Sequence, residues 1–146
     1  MNLKCAFGVN LEDKELTFEG IEKDENLLLG PYMLKCFQGS FERLFTLQLI
    51  LFPRSYDWYL SKSDRILKKN CLKLRNYFHE IINQRREEMK RADFKDKGDL
   101  LSTLLNEELY KSDDAMIVDE CITFFFAGTQ TTSITVSNLI MYCMNN

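Results

Sequence analysis

Proline, glycine and histidine are scarce in this 146-residue sequence, which contains two prolines, six glycines and one histidine. Because proline and glycine interrupt regular structure and alternating β-branched residues are nearly absent, the sequence predicts helices throughout. The single histidine, His79, leaves little for catalytic-triad chemistry, and no second metal ligand follows it at a suitable spacing. We expect an all-α protein without a sheet.

Cysteine pairs of the C-x-x-C type, a signal peptide and a membrane anchor are also missing. The cysteines are odd in number and widely spaced, so neither a disulfide framework nor a zinc site is indicated; they are Cys5, Cys36, Cys71, Cys121 and Cys143. Residues 1–13 contain no long apolar run that could target or anchor the chain. These absences favour reduced thiols and an intracellular protein.

Charge is modest overall but uneven along the chain. The net charge is −3, yet residues 64–91 hold nine basic and four acidic residues, which leaves −8 for the remainder. A basic segment this local does not indicate a nucleic-acid partner. Such a segment is ordinarily a solvated helix face, and the functional alternative is a docking surface for an acidic electron-transfer partner or anionic lipid headgroups.

The apolar pattern divides the chain into helices and connecting segments. Residues 1–8 have the pattern of a helix end that stops at Gly8, and residues 12–26 are acidic and aperiodic, which predicts a loop. Further elements are predicted at 27–60 (a helix and loop interrupted by Pro53), 64–91 (a basic amphipathic helix), 99–109 (a short helix) and 113–144 (a long helix with Ser112 as N-cap).

Residues 121–144, CITFFFAGTQTTSITVSNLIMYCM, carry no charge but concentrate small and polar residues in their middle. Ala127 and Gly128 have almost no side chain, so a flat, rigid group could lie close to the backbone, and Thr131 falls on the same helix face as Ala127. A threonine hydroxyl can instead bond the carbonyl four residues back, which together with Gly128 predicts a local kink with a pocket or a water. Close helix packing and a membrane-spanning helix are the alternative explanations.

The segment FFFAGTQTTS resembles the oxygen-activating segment in the long central helix of the cytochrome P450 haem-thiolate monooxygenases. The family pattern is Ala/Gly-Gly-x-Asp/Glu-Thr-Thr/Ser, which Ala127, Gly128, Thr131 and Thr132 match. The segments DLLSTLLNEEL, DDAMIVDECI and LKCAFG are similar to other parts of the family. The resemblance implies a partial cytochrome P450 fold that extends from the end of helix E through most of the oxygen-binding helix I.

This resemblance implies roles for single residues. Ala127 and Gly128 would line the haem face, while Thr131 and Thr132 would serve catalysis, Thr131 by hydrogen bonding to dioxygen or to the water that delivers a proton. Gln130 stands where the family has an acid. Because an amide orients water but releases no proton near neutral pH, we expect slower or rerouted proton delivery. The expected substrate-lining residues are Thr123, Phe126 and Thr135.

The resemblance also implies a cofactor and partners. The full-length enzyme is expected to use haem, dioxygen and electrons from a reductase to insert one oxygen atom into a lipophilic substrate. Contact with a membrane surface, that of the endoplasmic reticulum, is expected as well, and a nucleic-acid partner is not. The region 27–60 is expected to cover the substrate.

The family holds its haem iron through a cysteine in a Phe-x-x-Gly-x-Arg-x-Cys-x-Gly loop, and none of the five cysteines has that setting. The chain is therefore expected to contribute no metal ligand and to be inactive alone, as a fragment that arises from a truncated gene model, an early stop or a pseudogene. The alternative is a small helical interaction or membrane-associated protein without enzymatic activity.

Overall fold

The computed structural model describes residues 14–46, 50–51, 60–91, 98–110 and 113–145, with residues 129 and 130 described by their backbone alone. In these ranges the strands are β1 (Glu15–Phe18) and β2 (Glu25–Leu28), and the main helices are α1 (Leu29–Leu44), α2 (Lys62–Met89), α3 (Leu100–Asn106) and α4 (Asp114–Asn145). A short 3₁₀ helix at Glu108–Tyr110 precedes α4. The predicted all-α class is confirmed apart from the small sheet. The helix end predicted at Gly8, the break at Pro53 and the cap at Ser112 lie outside the described residues.

The prediction of a loop at residues 12–26 is wrong at residues 15–18 and 25–26, which are strands, and with it the expectation of no sheet is wrong; residues 19–24 connect the strands without regular structure. Strands β1 and β2 pair antiparallel, with Glu15 opposite Leu28 and Phe18 opposite Glu25. A strand of four residues shows its two-residue period too briefly to be detected in an acidic segment. The Phe18 ring packs edge to face on Tyr32 of α1, with ring centroids 5.3 Å apart. This distant contact, rather than a local pattern, favours the strand.

The described residues fall into two compact units, the first up to Tyr77 and the second from Phe78 onward. Helix α2 begins in the first unit and ends in the second. In the first unit, α1 buries one stripe at the helical spacing, formed by Leu29, Tyr32, Met33 and Cys36. Pro31 lies in the first turn of α1, where its missing N–H removes no hydrogen bond within the helix.

A buried asparagine joins the hairpin to α2 in this unit. The Asn70 side chain is fully buried, and its Nδ2 donates to the carbonyl of Glu19 at 2.9 Å while its Oδ1 accepts from the Glu19 N–H at 3.0 Å. The Tyr32 hydroxyl donates to the Asn70 carbonyl at 3.0 Å. Because a buried amide without partners would be costly, these bonds favour the end of β1 at Phe18 and hold the residue after it against α2.

Helix α2 begins two residues before the start predicted at Asp64, because Ser61 and Asp64 form a reciprocal capping box. The Ser61 N–H donates to Asp64 Oδ2 at 3.1 Å, and the Asp64 N–H donates to Ser61 Oγ at 3.2 Å. Asp64 also pairs with Arg43 of α1. The S-x-x-D sequence is a start signal that the sequence analysis missed.

The second unit is built from the end of α2, from α3 and from α4. Its buried apolar side chains are Phe78, Ile81, Ile82, Leu101, Leu104, Leu105, Ile117, Val118, Cys121 and Phe125. Asp99 caps α3 by accepting from the Ser102 N–H at 2.8 Å. Gly98 before it has φ of 59°, a left-handed conformation that glycine adopts without strain.

Candidate functional site on helix α4

The first turns of α4 fix the orientation of the helix. Asp113 Oδ1 accepts from the Met116 N–H at 3.1 Å and so caps the N-terminus, where a negative charge also favours the helix dipole. The next turns pack into the second unit through one face, formed by Ile117, Val118, Cys121 and Phe125. This packing determines which residues of α4 are accessible up to Gly128, whereas every described side chain from Thr131 to Asn145 is exposed.

Small and hydroxyl-bearing residues form an exposed stripe on the far side of α4. Thr123, Ala127, Thr131 and Thr135 recur every four residues, and all four are exposed. At about 100° per residue, Ala127 lies roughly 200° around the axis from the buried Phe125. Thr123 and Ala127 therefore point away from the packed face, and every described side chain from Thr131 onward is exposed, so a ligand can reach the stripe. We call these four residues the hydroxyl stripe.

The hydroxyls of the stripe bond to the helix backbone. Thr131 Oγ1 donates to the Ala127 carbonyl at 2.6 Å, and Thr135 Oγ1 donates to the Thr131 carbonyl at 2.9 Å. A hydroxyl has one proton and two acceptor lone pairs, so each threonine keeps acceptor capacity towards the open face. The back-bonding considered for Thr131 is present, and the motif does not interrupt α4, which is continuous from Asp114 to Asn145.

The remaining residues of the predicted site lie beside the stripe. Gly128 and Phe126 are half-buried and Thr132 is exposed. From the helical period, Phe126 lies about 100° from Ala127 and Thr132 about 100° from Thr131. The side chain of Gln130 lies outside the described part of the structure, so its role stays a prediction.

The turn at Ala127 and Gly128 fits the flat face of a haem, because neither residue extends beyond Cβ. The nearby cysteine does not fit as its ligand. Cys121 is fully buried in the packed face, and burial raises the pKa of its thiol to about 12, whereas iron binding requires a thiolate. Within the described ranges, histidine, cysteine and acidic side chains form no cluster of three that could hold a metal ion.

The last turns of α4 expose a large apolar surface. More than half of each of the side chains of Leu139, Ile140, Met141 and Tyr142 is accessible to solvent. Contiguous apolar surface of this kind normally contacts another protein segment or a lipid. Among the described helices none is long and apolar enough to cross a membrane.

Known proteins are similar to this sequence over most of its length. The sequence model of the family described as Cytochrome P450 matches residues 3–146. Cytochrome P450 3A14 of Cavia porcellus is 30% identical over 95% of this chain and 27% of that protein. Cytochrome P450 734A1 of Arabidopsis thaliana is 32% identical over 89% of this chain and 22% of that protein. The chain thus spans about a quarter of the length of these relatives.

A third relative combines two activities in its name. The bifunctional cytochrome P450/NADPH–P450 reductase ALT2 of Alternaria alternata is 30% identical over 60% of this chain and 8% of that protein. No solved structure gave a significant match.

Proposed function

The chain belongs to the cytochrome P450 family, and we propose that it supplies the oxygen-binding helix and a substrate-covering helix of a haem-dependent monooxygenase. The family uses haem in its full-length proteins. The observation that carries the proposal is the exposed hydroxyl stripe of α4, which contains Ala127 and Thr131 of the oxygen-activating motif and lies beside Gly128 and Thr132.

Ala127 and Gly128 would hold the face of the haem, because at these two positions the helix presents backbone and a single methyl group. Bound haem would supply the redox chemistry that activates dioxygen. Around it, α4 offers backbone atoms and hydroxyls but no charged side chain beyond Glu120. The helix thus provides a nearly neutral surface on which a single hydroxyl can direct a proton.

Thr131 is the residue that would direct the proton. Its own proton is donated to the Ala127 carbonyl, so in this rotamer the hydroxyl accepts a hydrogen bond from a water on the open face. Rotation about χ1 would release the proton and make the hydroxyl a donor. Because the hydroxyl can donate to the Ala127 carbonyl in one rotamer and to a water in another, Thr131 can hold and reorient a water without a charged group.

Gln130 would orient water rather than supply protons. A carboxylic acid at this position could take part in general acid catalysis, whereas an amide is neutral and neither gains nor loses a proton near neutral pH. Protons would therefore reach Thr131 through water. We propose slower or rerouted proton delivery as the consequence.

The side chains near the stripe support the proposed substrate class, and one of the relatives supports the proposed electron donor. Phe126 would offer an aromatic contact to a lipophilic substrate, and Thr123 and Thr135 stay predictions as substrate-lining residues. The ALT2 relative combines a cytochrome P450 with an NADPH–P450 reductase in its name, which supports a reductase as the electron donor here. Contact with a membrane surface and a location at the endoplasmic reticulum stay predictions.

The apolar end of α4 would be covered by other parts of a longer enzyme, and the 146 residues alone would be inactive. Mixing the purified chain with hemin and reducing it under carbon monoxide tests whether the chain can hold haem through a thiolate. We expect no thiolate-type Soret band, because no described cysteine lies in the family's ligand loop. A thiolate-type band would contradict the proposal, since it would require one of the existing cysteines to bind iron.

The hydroxyl of Thr131 is tested by replacing it with an isosteric methyl group in the full-length enzyme. We expect Thr131→Val to lower the product formed per dioxygen consumed by on the order of 100-fold, and Thr131→Ser to retain most of it. Thr103→Val is the matched control, because Thr103 also donates to the carbonyl four residues back but lies on α3. Equal coupling in Thr131→Val and in the control would overturn the role proposed for Thr131.

A further inference from the structure

Helices α1 and α2 approach each other closely in the first unit. They run antiparallel, since Tyr32 near the start of α1 bonds to Asn70 of α2 while Arg43 near its end donates to Ser61, 3.1 Å away. Between these contacts, Gly39 faces Leu67 so closely that a Cβ on Gly39 would lie 2.9 Å from Leu67 Cδ1. Glycine at this position lets the two backbones come together.

Two cysteines face each other across this close approach. Cys36 of α1 is buried, and Cys71 of α2 is half-buried. Their thiols are close enough to influence each other's ionisation. Ser40, one turn after Cys36, donates its hydroxyl to the Cys36 carbonyl at 2.8 Å, and its Oγ lies 3.8 Å from Cys71 Sγ. Ser40 thus places Cys71 beside the turn of α1 that carries Cys36, and a disulfide between the helices requires such neighbouring cysteines.

We propose that Cys36 and Cys71 form an oxidisable thiol pair, in which Cys71 reacts with hydrogen peroxide and Cys36 converts the product into a disulfide that joins α1 to α2. Cys71 is the attacking residue because it is the more accessible of the two. Cys36 is the resolving residue because it is buried at the same approach of α1 to α2, one turn from Ser40, whose Oγ lies near Cys71 Sγ.

The environment of the pair favours this division of roles. The hydrogen bond from the Cys36 thiol, with a smaller contribution from Ser40, holds the pKa of Cys71 below its ordinary value, although burial acts in the opposite direction. The same bond and burial raise the pKa of Cys36. Since the thiolate is the nucleophile, Cys71 is activated and Cys36 remains a protonated thiol until the second step.

The two steps balance without any further reactant. The Cys71 thiolate attacks one oxygen of hydrogen peroxide, an S–O bond forms, the O–O bond breaks, and the leaving hydroxide takes up a proton to become water. Cys36 sulfur then attacks Cys71 sulfur, the S–S bond forms, and the S–O bond breaks. The leaving hydroxide takes the Cys36 proton to become a second water. Two thiols have lost two electrons, and the peroxide has gained them.

The sequence allows the disulfide to be mapped directly. Trypsin cleavage places Cys36 in the peptide 36–43, CFQGSFER, and Cys71 in the peptide 70–73, NCLK. Cys5 falls in the peptide 5–14, whereas Cys121 and Cys143 share the peptide 112–146. The full chain is treated with hydrogen peroxide, its remaining thiols are blocked with N-ethylmaleimide, and the digest is analysed by mass spectrometry without reductant.

We expect CFQGSFER linked to NCLK as the main disulfide, formed well before any product that contains Cys143. Cys36→Ser should abolish the link and leave a sulfenic acid on Cys71 that dimedone traps, whereas Cys71→Ser should abolish both products. Cys143→Ser, which alters an exposed cysteine on α4, should leave the link unchanged. The proposal is overturned if the folded, unsubstituted chain forms its main disulfide through Cys5 or Cys143, or forms none while its thiols are consumed.

Discussion

We predict that breaking the buried ion pair between Arg85 and Asp99 strongly lowers the stability of the protein. Arg85 is 1% exposed, and its Nη1 donates to Asp99 Oδ2 at 2.7 Å and to Ser102 Oγ at 2.8 Å. Asp99 is also the N-cap of α3, where it accepts from the Ser102 N–H. Asp99 therefore begins a helix and also shares the neutralisation of a buried guanidinium with Glu88, whose Oε2 lies 3.3 Å from Arg85 Nε, and substitutions of Asp99 can separate these two contributions.

Asp99→Asn keeps the capping oxygen but removes the charge, because asparagine caps helices about as well as aspartate. Removing one partner of a buried ion pair costs roughly 3–5 kcal/mol, and the asparagine carbonyl still accepts from Arg85, so we expect a loss of about 3 kcal/mol. Asp99→Ala removes the cap as well, which adds about 1 kcal/mol. Since a domain of this size is stable by about 5–15 kcal/mol, both changes should be obvious.

Urea denaturation followed by circular dichroism measures these losses. The double variant Arg85→Met with Asp99→Asn also removes the guanidinium that Asp99→Asn leaves with Glu88 as its carboxylate partner, and we expect it to recover part of the stability lost by Asp99→Asn alone. Glu107→Gln is the matched control, because Glu107 is exposed just after α3 and its loss should change stability by less than about 0.5 kcal/mol. A coupling energy near zero between Arg85 and Asp99 would refute the reasoning.

The same pair predicts how stability depends on pH. Burial alone raises the pKa of Asp99, but the hydrogen bonds donated by Arg85 and Ser102 outweigh it and hold this pKa below its ordinary value. A group whose pKa is lowered by folding stabilises the protein above its unfolded pKa, which is about 3.9 for aspartate. We expect this contribution to persist at neutral pH, to decline as the pH falls below about 4, and to be absent in Asp99→Asn.

Two further substitutions test the hairpin and the proton route. Asn70→Ala should destabilise the first unit by about 2–3 kcal/mol, because it leaves the Glu19 N–H and carbonyl without their partner; Asn76→Ala on the exposed face of α2 is the control, and an equal effect of both in thermal melts would contradict the contact. In the full-length enzyme, Gln130→Glu should raise the product formed per dioxygen consumed, because it restores an acid where only an amide is present; unchanged coupling would count against the proposed proton route.

Helices were the part of the fold that the sequence predicted well, because their period is local. The helix predicted at 113–144 corresponds to Asp114–Asn145, and that predicted at 64–91 to Lys62–Met89. The largest error, the hairpin at Glu15–Phe18 and Glu25–Leu28, arose where structure depends on distant partners. Glu19 and Asn70, which join the hairpin to α2, are 51 residues apart in the sequence.

For the candidate site, the sequence alone determined the motif, the family and the residue types at each position. Helical spacing was sufficient to place Ala127 and Thr131 on one face, since that relation is internal to a helix. Which face is open was decided by tertiary structure, because it depends on how Cys121 and Phe125 pack against other helices.

Tertiary structure also determined which polar and thiol side chains inside the units are buried and which partners they contact. Helical spacing places Asn70 and Arg85 on the same face of α2 as Leu74, Phe78 and Ile81, but a polar or charged residue type does not by itself indicate burial. They are buried because partners from other segments satisfy their hydrogen bonds, which is the condition under which burial of a polar group is tolerated. Cys36 and Cys71 likewise became a pair only when Gly39 allowed two helices to meet.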